Sequence, residues 1–293
     1  MVFPPISNKE INMSLLRKTV ASLAGGAMMM AAASANAYFL DLGGTAGVVN
    51  FNTIDWSENG SAYVTGFDIT NPGDKFSITA ISEAVSLSLN SAQKAIFFND
   101  LGITSTGSNN VELTLVATLN ERIDSVSGNI ANFVLESGRF DIYLDFTPEG
   151  GNLTSGLGFS DGIRLLGGVF TPGQAGSFTD LNLIPPGSVG ASGSGSNTLV
   201  AGIDFVNALL TPAPTDSNAS TTLQYGLTAQ GWVRPTTIDG LVLAGDTPTD
   251  FVMKADANQT ILGSTVPEPS SLALLGLAVG AFGVVRKRSE KKA

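Results

Sequence analysis

The sequence contains neither cysteine nor histidine. Disulfides, thiolate or imidazole metal sites, and Ser-His-Asp or Cys-His nucleophile systems are therefore excluded by residue type. Basic residues are scarce as well: 15 Lys and Arg stand against 25 Asp and Glu. Eight of those 15 lie near the ends, as Lys9, Arg17 and Lys18, then Arg286, Lys287, Arg288, Lys291 and Lys292. Between Tyr38 and Pro269, seven basic residues face 23 carboxylates, a difference of −16. So acidic a surface repels phosphate backbones and argues against nucleic acid as a partner. What remains is 43% hydrophobic, with 34 glycines. That is the habit of a turn-rich, many-stranded extracellular protein, large enough to be held by its core without disulfides.

The two ends carry uninterrupted apolar runs. Arg17-Lys18 precedes a charge-free run from Thr19 to Ala33, and Ser34-Ala35-Asn36-Ala37 follows. Basic region, apolar region and small-x-small site in this order predict a signal peptide cleaved between Ala37 and Tyr38, with Ala35 and Ala37 as the small residues. Met13 opens a compact basic region and is the expected start. At the other end, Pro267 and Pro269 cannot donate helical hydrogen bonds, whereas Ser270 or Ser271 can cap a helix. The charge-free run Ser270–Val285 would span about 24 Å as a helix, slightly short of the hydrocarbon core. The basic tail Arg286-Lys287-Arg288 then acts as a stop-transfer signal that stays in the cytoplasm.

Val266-Pro267-Glu268-Pro269, the apolar run and the basic tail together resemble the PEP-CTERM sorting signal. The resemblance implies that exosortase, a membrane transpeptidase-like enzyme, recognises Pro267, Glu268 and Pro269 and removes the helix. Those residues would be a substrate, not catalysts. Three segments follow: 1–37, an N-terminal extension and signal peptide; 38–265, an exported β-rich body; and 266–293, the sorting signal. Signal peptidase and exosortase are the expected partners during export, with the membrane a partner through the C-terminal helix. The product is expected at the cell surface or in the extracellular matrix.

Within the body the apolar period is two. Phe76, Ile78 and Ala80 alternate with Ser77 and Thr79; Val111, Leu113, Leu115, Ala117 and Leu119 form a second such series, and Phe140, Ile142, Leu144 and Phe146 a third. Each predicts a half-buried strand, and Leu223–Val233 and Ile238–Leu243 read as weaker ones. Turn residues occur at 71–74, 127–129 and 148–151. The fold expected is mainly β, an antiparallel β-sandwich or jelly-roll-like body, with a signal helix before it and one transmembrane helix after it. Pro185–Ser196 and Thr211–Asp216 read as long loops, and Val200–Leu210 as a possible short helix.

The body is similar in order and spacing to flocculation-associated PEP-CTERM proteins. The residues concerned are 53–56, 140–148, 152–162, 193–205 and 250–259, among them Asn152-Leu153-Thr154-Ser155-Gly156-Leu157-Gly158-Phe159-Ser160-Asp161-Gly162. That resemblance implies a non-enzymatic role with exopolysaccharide in holding cells together. Two other classes stay open. Trp56, Tyr63 or Trp232 could stack on sugars in a carbohydrate-binding module, although each lies in or beside a strand, where burial is the default. A glycoside hydrolase would need paired carboxylates, and the regular pair, Asp141 and Asp145, lies about 13 Å apart along one strand, beyond the range of either mechanism. No cofactor is expected. Calcium is the one metal the residues admit, through Asp161-Gly162 or Asp256-Ala257-Asn258, but no complete calcium loop is present.

Overall fold

The structure is a computed structural model that describes residues 37–42, 47–96, 111–146, 153–214, 217–227 and 232–263. Both apolar end segments and the turn expected at 148–151 lie outside these residues. The described chain is mainly β, without a helix. In order, its strands are β1 (Tyr38–Asp41), β2 (Val48–Phe51), β3 (Thr53–Trp56), β4 (Gly60–Thr65), β5 (Lys75–Leu89), β6 (Ala92–Ile96), β7 (Glu112–Ser127) and β8 (Ile130–Asp145). They continue as β9 (Ile163–Phe170), β10 (Ala175–Asp180), β11 (Gly193–Val206), β12 (Leu210–Thr211), β13 (Asn218–Gly226), β14 (Thr237–Ile238), β15 (Leu241–Val242) and β16 (Phe251–Leu262).

Antiparallel pairing is observed throughout, but it does not make the expected sandwich. The ladder runs from β5 through β7 to β8; β8 pairs with both β9 and β10, and both pair with β11. It continues through β13 and β16 to β3 and β4, which return to β5. The main sheet is thus a closed barrel, in which β9 and β10 share one stave and β3 and β4 another. Closure removes the free edges that two open sheets would present.

Alternation explains which side of each strand enters the barrel. Phe76, Ile78, Val111, Leu113, Leu115, Phe140, Ile142 and Leu144 are all buried in one core cluster, as their spacing predicts. Ser77, Thr79, Thr118, Asn120 and Asp141 alternate with them on the outside, which makes this a water-facing barrel and the reverse of a lipid-facing one. The turns at 71–74 and 128–129 are present, with Gly73 at φ 100° and Gly128 at φ 60°.

Three expectations change. Val200–Leu210 is not a helix but mostly the end of β11, and the Gly-Ser run before it is the beginning of that same strand. Its glycines serve close packing: a Cβ on Gly193 would lie 2.3 Å from the Phe178 ring, and one on Gly195 would lie 2.5 Å from the Ser177 carbonyl oxygen. Of Leu223–Val233, Leu223–Gly226 ends β13 and 228–231 lie outside the described residues, while Ile238–Leu243 is reduced to the two-residue pairs of β14 and β15.

The two barrel ends are closed differently. Beyond the starts of β5, β8 and β16, Phe67 packs edge-on against Phe76, Phe178 and Phe251 at 5.0, 5.7 and 6.1 Å, and Phe76 against Phe133 at 5.4 Å. Replacing Phe67 by Leu keeps apolar bulk but loses these edge contacts. It should lower unfolding free energy by about 1–2 kcal/mol, measurable as a smaller urea midpoint with unchanged slope. The other end is covered by the small sheet β12-β1-β2, whose Tyr38, Leu40, Val49 and Phe51 join the core.

Candidate functional site

Segments 153–162 and 232–243 lie on the outer wall. Leu153, Phe159 and Ile238 bury Ile81 there, with Tyr63, Val116 and Leu243 packed against the cluster. Thr114 Oγ1 donates to the Phe159 carbonyl at 2.7 Å, and Thr237 N to the Ser155 carbonyl at 3.0 Å. The sugar-stacking candidates are consumed by this packing and by the core. Trp56 points into the barrel and is 1% exposed, Tyr63 is half-buried under the outer cover, and half-buried Trp232 donates Nε1–H to Ser61 Oγ at 3.2 Å.

Asp141 has a structural role. Arg139 reaches it through Nε and Nη2 at 3.0 Å each, and Arg164 through Nε at 2.8 Å and Nη2 at 2.5 Å. Asp204 lies 3.9 and 3.8 Å from the same two arginines, and Arg164 stacks over Phe205 at 4.3 Å. Charge-assisted hydrogen bonds from two guanidiniums thus occupy this carboxylate as part of the wall.

A different carboxylate pair is brought together on β3 and β16. Asp55 is the register partner of Asn258, which places Asp256 diagonally across from it. On the next strand Gln224 lies opposite Asp256, and Thr222 opposite Asn258. These five polar side chains, with Ala257, line an outer-wall groove of about 170 Å³. Burial raises the pKa of Asp256, with Asp55 and Glu58 adding to it, while the Ala257 amide and Lys254 oppose the shift. The groove therefore offers carboxylate acceptors, amides that donate and accept, and a hydroxyl, a set suited to polyhydroxylated ligands. Of the calcium candidates, Asp256 and Asn258 enter this groove. No group of three acidic residues able to hold a metal occurs among the described residues.

Ala37 and Tyr38 are described, whereas Ala35, Pro267, Glu268, Pro269, Arg286, Lys287 and Arg288 lie outside the described residues. Tyr38 opens β1, is 4% exposed and sets its hydroxyl 3.4 Å from Ser217 Oγ. Leu262, the last residue of β16, pairs with Asn218, beside Ser217. The two junctions to the apolar ends thus leave the barrel close together. The C-terminal junction leads to a segment of known kind.

Residues 265–289 match the PEP-CTERM protein-sorting motif. The PEP-CTERM match supports an exosortase substrate, exported and sorted to the cell surface or exterior. No curated protein and no solved structure matches the chain. The PEP-CTERM signal accounts for the C-terminal residues whose types, not contacts, carry the sorting function. The barrel before it is the cargo.

Proposed function

We propose that this cargo is a non-catalytic matrix protein that promotes flocculation or biofilm cohesion by binding exopolysaccharide. The observation that carries the reading is the sorting motif at residues 265–289, which delivers the barrel to the surface. The sequence resemblance of the body to flocculation-associated proteins supports it, as does the polar groove of Asp55, Thr222, Gln224, Asp256 and Asn258. Contact with polymer is by hydrogen bonds to sugar hydroxyls in that groove. An aromatic platform is not among its lining residues.

Cells lacking the gene should disperse, and the full-length chain should restore sedimenting aggregates. A variant lacking Pro267-Glu268-Pro269 should accumulate unprocessed by mass spectrometry and leave the cells dispersed. Aggregation of the deleted strain equal to that of its parent overturns the cohesive role, whatever becomes of processing.

Asp55 and Asp256 favour a second reading. Diagonal neighbours across a pair of antiparallel strands are about 7–8 Å apart, within the range of inverting glycosidases, and burial raises the pKa of Asp256. Release of reducing ends from the organism's own polymer, abolished by Asp256→Asn, would replace the matrix reading with a hydrolase.

A further inference from the structure

The barrel interior is mostly apolar, and five of its polar side chains form one seam. Gln259 on β16 is the register partner of Thr221 on β13. On β11, Leu199 lies opposite Thr221 and Asn197 opposite Leu223, which makes Asn197 a diagonal neighbour of Thr221. Tyr225 lies opposite Gly195 and is the diagonal neighbour of Asn197 on the other side. Asn197 passes over Gly176 of β10 to reach Glu121 on β7, donating through Nδ2 to Oε1 at 2.6 Å. Only glycine leaves that path free, since a Cβ at 176 would overlap the Asn197 amide. All five side chains are 5% exposed or less.

Apart from that one bond, the seam is unsatisfied from within. Among the described residues no partner meets Gln259 Nε2 or Oε1, Thr221 Oγ1, Asn197 Oδ1, Glu121 Oε2 or the Tyr225 hydroxyl. In the unfolded chain water serves all of them, and a buried polar group left without a replacement costs more than a typical hydrogen bond contributes. Folded proteins avoid such a penalty by ordering water inside. Tyr225 borders a cavity of about 20 Å³ among Phe76, Phe133, Phe178 and Phe251, room for about one water molecule. Glu121 lies near enough to Tyr225 to act on its hydroxyl by charge. At the other end of the seam, the inward neighbours of Thr221 and Gln259 along their own strands include the short Ala219 and Ala257. The groups also complement water, because amide and phenol hydrogens give to its oxygen while the Asn197 and Gln259 carbonyl oxygens accept its hydrogens.

We infer that the seam is a water-binding site built into the barrel: ordered water bridges Tyr225, Glu121 and Asn197 at one end and Thr221 and Gln259 at the other. These bridges join β7, β11, β13 and β16 from within, in a chain where the absence of cysteine leaves no disulfide to do so. They also hold register, because a slip by one residue would turn the seam outward. The site lies inside the barrel and is independent of the polymer-binding groove outside.

The test uses the full chain in detergent, isotope-labelled on nitrogen. In its magnetic resonance spectrum the side-chain amide protons of Gln259 and Asn197 should show cross-peaks to water of the sign that bound, slowly tumbling water gives. Thr221→Val should abolish those at Gln259. Urea midpoints give an independent reading by their direction. With water bound, Thr221→Val and Tyr225→Phe each remove one of its partners and lower the midpoint by roughly 0.3–0.5 M. In a dry seam each removes a polar group that had nothing to bond, and the midpoint rises. A raised midpoint in either variant overturns the bridge at that end. Absence of water cross-peaks at both Gln259 and Asn197 in the native chain overturns the whole inference, whether or not the variants fold.

Discussion

Leu113→Asp should leave the barrel unfolded at neutral pH, while Thr118→Asp, five residues along the same strand, should fold normally. Leu113 is 0% exposed and faces inward on β7 opposite Leu144. Replacing it forfeits about 1.5–3 kcal/mol of apolar burial. It also places an ion in the core at an effective penalty of several kcal/mol, so the combined loss is comparable to the whole stability of a typical domain. Thr118 is exposed on the outer face, where Arg139 is its cross-strand partner, and an aspartate there should change stability by less than about 0.5 kcal/mol. Circular dichroism and urea titration of the two purified bodies provide the comparison. Equal midpoints would show that the assignment of inside and outside on β7 is wrong.

Glu121→Gln should remove a large fall in stability that the native barrel shows between pH 5 and pH 9. Glu121 faces the interior at 1% exposure and accepts a 2.6 Å hydrogen bond from Asn197 Nδ2. Burial pushes its pKa up from 4.5 to about 8, against the opposing effect of that hydrogen bond. Tyr225, also buried, has its own pKa raised by burial and by Glu121. Phe76 and Leu135 are the flanking register partners, while the basic neighbour Arg122 points outward to Glu136 at 3.4 Å and Asp124 at 3.6 Å. Between pH 4.5 and pH 8 the folded state retains a proton that the unfolded chain has released. Unfolding therefore releases a proton, and stability from this group, full below pH 4.5, is lost as pH rises through 8. At about 1.4 kcal/mol per unit the loss is on the order of 5 kcal/mol. The glutamine keeps an acceptor for Asn197 without the ionisation. Denaturation at pH 5 and pH 9 should find the variant several kcal/mol more stable than wild type at the higher pH and close to it at the lower. An identical fall in both proteins would assign the pH dependence elsewhere.

Surface carboxylates work in the other direction. Thr70 holds the pKa of Asp68 down through hydrogen bonds, and Lys75 does the same for Glu136. Their contribution disappears in acid, as Glu121's does in base, so maximum stability is expected in weakly acidic solution.

The phenylalanine-rich end and the groove show where sequence reading stops. Asp55, Thr222, Gln224, Asp256 and Asn258 each sit at an outward position of an alternating strand, which spacing alone can establish. That they line one groove depends on pairing of β3 with β16 and of β16 with β13, between segments up to about 200 residues apart. Asp141 and Asp145 were conspicuous because they share one strand, yet the partners that occupy Asp141 come from β8 and β9 together. Glu121 carries no mark at all in the sequence: it continues the inward series of Leu113, Leu115, Ala117 and Leu119, and only that phase, extended past the apolar run, points to its burial.

By itself the sequence determined the class of the fold, the inward residues of its longest strands and the sorting motif at the C-terminus. Period-two alternation is a local property of extended backbone, and a sorting motif is read as residue types in order. Closure into a barrel was decided by tertiary structure, because a continuous ladder and two stacked sheets use the same alternating strands. The difference lies in β9 and β10 bridging β8 to β11, and in β3 and β4 bridging β16 to β5. The Gly-Ser run reads as a linker because its residues have little to bury. It became a strand because Phe178, brought alongside by β10, needs the space that side chains at Gly193 and Gly195 would fill.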